Sequence, residues 1–255
     1  MRWIDTHAHV YSEELKPDLE GVVRRAQLEG IDKIYMPAID SSCVDAMLDL
    51  ETKYPQLCIA MMGLHPCYVK ENYQAELKLV EQWLAQRKFC AIGEIGLDFY
   101  WDKTFVSQQQ EAFKLQMQWA LDYDLPICIH TRNAMGETIE AVKPFAQKGL
   151  RGIFHCFSGS KESAQQIIGM GFHLGLGGVL TYKNAGVAEA IKDIPMEWLV
   201  LETDAPYLSP VPYRGKPNEP SYMIEVAKKL ADIKNMPLHE VSEITSRNAE
   251  GIFKL

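Results

Sequence analysis

The chain has 255 residues, 47% hydrophobic and 24% charged, with a formal net charge of −8. That composition suits one globular domain over residues 1–255, needs no covalent staples, and argues against a broad basic nucleic-acid surface, although bound divalent cations would reverse the sign of a site locally. No apolar stretch nears the roughly 20 residues of a membrane helix, no basic-then-apolar leader opens the chain, and six scattered cysteines lack a Cys-x-x-Cys pair.

The cysteines are therefore expected as buried thiols in a reducing compartment, and the protein as a cytoplasmic monomer with no membrane contact and no obligate protein partner. Cys156 stands apart because it follows a candidate ligand.

In chain order, strand-like runs are predicted at residues 2–6, 33–37, 58–63, 89–93, 126–130, 152–155, 172–175 and 198–202. Most are near-continuous apolar runs, which suits parallel strands covered on both sides. Helical patterns lie between them. Pro17 can open the first, with Leu19, Val22, Val23, Ala26 and Leu28 on one face and Gly30 at its end. Leu77, Val80 and Leu84 repeat at helical spacing in the third interval. Ser107-x-x-Gln110 has the form of a capping box ahead of Phe113, Met117, Ala120 and Leu121. Segments 137–147 and 161–170 end at Gly149 and Gly171, the unit after Gly175 is the least regular, and the tail from Asn218 reads as one or two helices. Eight β-then-α units predict an α/β fold: a distorted TIM-type (β/α)8 barrel.

In such barrels the working face lies at the C-terminal ends of the strands. His7 and His9 follow the first run, His65 the third, Glu94 the fourth, His130 the fifth, His155 the sixth and Asp204 the eighth. A His-x-His pair in a strand points both rings to one face. Four histidines (7, 9, 130, 155) with Glu94 and Asp204 exceed the three protein ligands of one catalytic zinc, so two ions are expected. We assign His7, His9 and Asp204 to one ion and His130 and His155 to the other, with Glu94 bridging; the alternative for Glu94 is a buried ion pair with an arginine.

The motifs Asp5-Thr6-His7-Ala8-His9, Gly63-Leu64-His65-Pro66, Gly93-Glu94-Ile95-Gly96-Leu97-Asp98, His130-Thr131-Arg132, His155-Cys156-Phe157-Ser158-Gly159 and Leu201-Glu202-Thr203-Asp204-Ala205-Pro206 occur in this order. Together with Arg214-Gly215-Lys216 and Asn218-Glu219-Pro220, they make the chain resemble the TatD-like metal-dependent deoxyribonucleases across nearly its whole length. The resemblance implies an amidohydrolase-like barrel, divalent cations (Zn, Mg or Mn) and DNA as substrate. It also implies the same six ligands: His7, His9, Glu94, His130, His155 and Asp204. The expected reaction is phosphodiester hydrolysis by a metal-activated water, with exonuclease action on single-stranded or frayed ends.

Within that reading Asp204 is the proton acceptor and Glu202, on the same face, orients a ligand or handles a proton; a structural salt bridge is its alternative. His65 is expected at a phosphate or leaving group. Arg132 grips a phosphate or pairs with Glu137 or Asp98, and Arg214 and Lys216 share the substrate-binding expectation. Phe99, Tyr100 and Trp101 either stack on bases or pack a loop. A different hydrolase, acting on a cyclic amide, lactone or aminoacyl ester, would use the same barrel and ions.

Overall fold

The computed structural model describes residues 1–254. Among them, eight parallel strands alternate with helices: β1 (Trp3–Asp5), β2 (Ile31–Pro37), β3 (Cys58–Met61), β4 (Ile92–Asp98), β5 (Ile127–Arg132), β6 (Gly152–Phe154), β7 (His173–Leu176) and β8 (Leu199–Leu201). The helices are α1 (Leu19–Leu28), α2 (Val44–Lys53), α3 (Tyr73–Gln86), α4 (Val106–Asp122), α5 (Met135–Ala146), α6 (Lys161–Gly169), α7 (Val187–Ile191), α8 (Met223–Lys234) and α9 (Leu238–Phe253).

The strands run in order as a three-stranded sheet, β1-β2-β3, and a five-stranded one, β4-β5-β6-β7-β8. Two seams join the sheets. At one, Met62 pairs with Ile92, and Gly93 N–H donates to Met62 O at 3.0 Å while Glu94 N–H donates to Ala38 O at 3.0 Å. At the other, Thr6 N–H donates to Leu201 O at 3.0 Å and Asp204 N–H to His7 O at 2.8 Å. These bonds close the ring as a distorted (β/α)8 barrel.

The barrel floor is packed. Ile4, Tyr35, Met61, Ala91, Cys128, Ile153 and Val200 form one buried cluster with Ile252 and Phe253 of α9, and Phe253 stacks on Tyr35 with ring centroids 3.8 Å apart. Because side chains alternate with period 2, residues two positions beyond the floor point inward above it: Cys128 leads to His130 and Ile153 to His155 on the cleft wall, and Val200 to the buried Glu202. Glu94 breaks that count from Ala91. The β4–β5 register shifts between Ile92 and Ile95, which resets the alternation and turns Glu94 inward.

Two expectations need correction. The fourth strand is Ile92–Asp98, not 89–93, so Glu94 lies inside it; the ladder starts only where Ile92 meets Ile127. Ser107 caps nothing: α4 begins at Val106 without a side-chain cap, and Ser107 and Gln110 are exposed. The buried Gln109 is the residue engaged there, accepting from Asp98 N–H at 2.9 Å. The irregular unit after Gly175 forms a 3-10 turn at Gly178–Thr181 and the five-residue α7. No described helix is long and apolar enough to cross a membrane.

Candidate metal centre

A cleft of about 700 Å³ opens at the C-terminal ends of the strands, with His9, His65, Glu94, His130, His155 and Asp204 on its walls. His7 lies just beneath, fully buried. Glu94 is the centre of the arrangement. Its Oε2 lies 3.2 Å from His7 Nε2 and 3.4 Å from His9 Nε2, while its Oε1 lies 2.9 Å from His130 Nδ1, 2.9 Å from His155 Nε2 and 3.2 Å from His65 Nε2. No arginine pairs with it among the described residues. Asp204 Oδ1 approaches His7 and His9 Nε2 at 3.6 and 3.7 Å.

The far side of each ring decides which nitrogen offers a lone pair, and the tautomers below are assigned from those partners. Tyr11 spends its hydroxyl hydrogen on Pro37 O at 2.6 Å, so it accepts from His9 Nδ1 at 2.9 Å and leaves His9 Nε2 unprotonated. Asp98 Oδ2 accepts from His130 Nε2 at 2.9 Å, leaving Nδ1 free. Among the described residues His155 Nδ1 makes no hydrogen bond; Glu202 Oε1, at 3.4 Å, is the carboxylate facing it, and Nε2 faces Glu94. His7 Nδ1 contacts Cys128 Sγ at 3.1 Å.

His65 differs. Its Nδ1 accepts from Cys67 N–H at 3.0 Å, so the neutral ring carries its hydrogen on Nε2, a donor on the cleft wall that here faces Glu94 Oε1 at 3.2 Å and His130 Nδ1 at 3.3 Å.

Lone pairs and carboxylate oxygens thus converge within hydrogen-bond distance, an arrangement of acceptors that a cation satisfies. Groups whose donor atoms lie within 4.8 Å of one another are His7–His9–Glu94, Glu94–His130–His155, His7–His155–Asp204 and His65–Cys67–His130. Their electrostatics couple the carboxylates to positive charge on the rings. Burial pushes the Glu94 pKa up, but His65, His155, His7 and His130 outweigh it and hold that carboxyl well below its usual range. Burial disfavours charge on His155, yet Glu94 and Glu202 carry its pKa well above normal. Burial drives His7 down and raises Asp204 to about 6, the latter against opposing His155 and His9.

Glu202 is completely buried behind His155. Its Oε1 accepts from Cys156 N–H at 2.5 Å, its Oε2 has no partner, and no Lys or Arg pairs with it among the described residues. Asp204 holds a left-handed φ of 56°, costly for a non-glycine residue. Its backbone is tied to His7 on one side, and its carbonyl accepts from Tyr207 N–H at 2.8 Å. Asn218 Nδ2 donates to Thr203 O and Tyr207 O at 2.7 and 2.8 Å, fixing the same loop.

Arg132 reaches the cleft wall and pairs with neither Glu137 nor Asp98; its guanidinium lies over Tyr100 at 4.0 Å and Trp101 at 5.1 Å. Arg214 and Lys216 are outside the cleft lining, Arg214 lying over Tyr182 at 4.0 Å. All six cysteines are free. The sequence analysis gave Tyr11 and Cys128 no part in the site and offered Asp98 only as a partner for Arg132, whereas these three face His9, His7 and His130. The signal available was period 2: Tyr11 follows His9 by two, Cys128 precedes His130 by two, and Asp98 shares the alternation of Glu94 and Gly96.

Residues 4–254 match the family model described as TatD related DNase. An uncharacterized metal-dependent hydrolase of Bacillus subtilis (strain 168), YabD, is 38% identical over 252 residues, covering 98% of each chain. The crystal structure of YjjV, a TatD homolog from Escherichia coli K12, superposes with a TM-score of 0.94 at 31% identity over 100% of this chain and 98% of that one. A phosphotriesterase homology protein from Escherichia coli, solved with phosphate in its active site, shares the fold at a TM-score of 0.73 and 12% identity, over 99% and 98% of the two chains.

Proposed function

The chain belongs to the TatD related DNase family and is a metal-dependent hydrolase, and from that premise we propose that it hydrolyses phosphodiester bonds in DNA at single-stranded or frayed ends. The observation that carries the reading is the division of Glu94 between two groups of imidazoles, with a hydrogen-bond donor, His65 Nε2, and a cation, Arg132, on the same cleft. His7, His9 and Asp204 would hold one divalent cation, His130 and His155 a second, and Glu94 both. Such ions acidify a coordinated water and neutralise charge growing on phosphoryl oxygens.

The chain's own groups divide the remaining work. Asp204 faces the cleft from a fixed backbone and accepts the proton of the attacking water. Glu202, held by Cys156 N–H, sets a carboxylate 3.4 Å behind His155 Nδ1, the side from which a ligating histidine is usually supported. His65 cannot donate and ligate through the same Nε2. In its assigned tautomer it hydrogen-bonds a phosphoryl or leaving oxygen. Arg132, with no carboxylate partner among the described residues, is available to a phosphate. The packed floor leaves one open mouth, which suits a strand end better than a continuous duplex.

A panel of single-stranded DNA, RNA and dihydropyrimidine substrates with Mg²⁺, Mn²⁺ or Zn²⁺ tests this reading. DNA cleavage that disappears in Asp204→Asn, with unchanged circular dichroism, is expected. Turnover of the cyclic amide alone would replace the nuclease reading with an amidohydrolase one.

A further inference from the structure

Trp101 and Tyr100 are 67% and 50% exposed on the loop that follows β4, an expensive position for large aromatic surface unless something covers it. The loop is anchored. One carboxylate oxygen of Asp98 accepts from the N–H groups of Tyr100 and Trp101 at 2.9 and 3.0 Å, while the other accepts from His130 Nε2 at 2.9 Å. The same side chain therefore sets both the aromatic pair and a cleft imidazole. At the loop's far end, Lys70 holds Asp102 at 2.7 Å.

Tyr100 and Trp101 meet edge to face, ring centroids 5.0 Å apart, with the Arg132 guanidinium over both. Arg132 has no acidic partner among the described residues, so its charge faces the cleft uncompensated. Trp101 and Arg132 line the same cavity as His65 and His130.

Resting on the nuclease reading, we infer that Tyr100, Trp101 and Arg132 form a stacking platform for single-stranded DNA: Trp101 takes the face of the base beside the scissile phosphate, and Arg132 takes that nucleotide's phosphate. Trp101 is then a specificity-determining residue. A π-face accepts any base, so the platform selects for unpaired bases instead of sequence. A base inside a duplex already has both faces covered, which accounts for a preference for loose ends.

The test uses metal-loaded wild type, Trp101→Ala and Trp101→Phe. Fluorescence anisotropy follows binding of a phosphorothioate pentathymidylate and of the same oligomer with an abasic terminal residue, and steady-state kinetics follow the cleavable versions. Loss of one base stack corresponds to about 5- to 140-fold. Trp101→Ala is expected to weaken pentathymidylate binding by that factor, with the kinetic loss carried by KM, and Trp101→Phe to restore most of it. Abasic DNA should bind wild type and Trp101→Ala alike. Equal affinity of wild type and Trp101→Ala for the intact oligomer, or no binding by wild type, overturns the platform. Binding that depends on Trp101 without any DNA cleavage would uphold the platform and discard the nuclease reading instead.

Discussion

Gly175→Ala perturbs the support of His155 from a position that does not itself line the cleft. A methyl group at position 175 would sit 2.2 Å from Glu202 Oε2, 2.9 Å from its Cδ and 3.1 Å from the α-carbon of His155. The first distance is impossible, so the carboxylate must turn, and turning withdraws Oε1 from Cys156 N–H at 2.5 Å and from His155 Nδ1 at 3.4 Å. Overpacking of this kind costs about 1–3 kcal/mol, and a lost hydrogen bond to a buried charged group about 1.5–3 kcal/mol. Together they come to about 2.5–6 kcal/mol, with about 2–4 °C of Tm for each kcal/mol in a chain of this size. Hydrolysis should fall with it because His155 loses its orienting partner. In a Glu202→Ala background the added methyl meets no carboxylate, and the penalty of Gly175→Ala should shrink to about 1 kcal/mol, left by the crowding against the His155 backbone. Urea denaturation of the four proteins gives the coupling directly. Equal penalties in both backgrounds would refute the idea that Gly175 exists to house Glu202.

Glu94→Ala should lose at least one bound ion, read by elemental analysis after gel filtration, because both imidazole groups lose their common carboxylate. Cys128→Ala removes the hydrogen-bond contact at His7 Nδ1; metal affinity by calorimetry should drop about 10- to 100-fold, since partners of ligating histidines carry that weight, and the lost sulfur in the packed floor should lower Tm as well. His173 sits at the start of β7, far from the cleft, with its Nδ1 unpartnered, and burial lowers its pKa to about 4. The unfolded chain therefore binds a proton at this residue between about pH 6.5 and 4 while the folded one does not, so stability falls as pH drops through that window. His173→Gln should flatten the decline by about 1–2 kcal/mol after allowance for partial solvent access; an unchanged slope from pH 7 to 4 would remove His173 from the acid response.

Where strands are regular, sequence spacing was enough to place side chains above the floor. Cys128 to His130, Ile153 to His155 and Val200 to Glu202 are clean period-2 steps from floor to mouth, so apolar runs ending in a polar residue were enough to place them. Glu94 was assigned to the cleft although its strand was put three residues too early: the apolar Phe89–Cys90 pair imitates a strand start, and the register irregularity after Ile92 has no sequence mark. Ser107-x-x-Gln110 fitted a capping pattern, but the chain had already turned into the helix at Val106, leaving both side chains in solvent. The histidine supports were less legible. Tyr11, Asp98 and Cys128 act through single atoms at the back of a ring, and which nitrogen faces which neighbour emerges only when three strands are side by side. Arg214 shows the same limit, because a loop's choice of Tyr182 as a stacking partner depends on distance across 32 residues of chain.

The two imidazole groups do not share the same footing. Glu94, His130 and His155 all belong to strands of the larger sheet or their ends, whereas His7 and His9 come from the smaller one and meet Glu94 only across the seams. Breathing of the wall between β1 and β8 would stretch the second group while sparing the first. One ion position is masonry within a single course of bricks; the other is mortar between two, and it inherits every tremor of the joint.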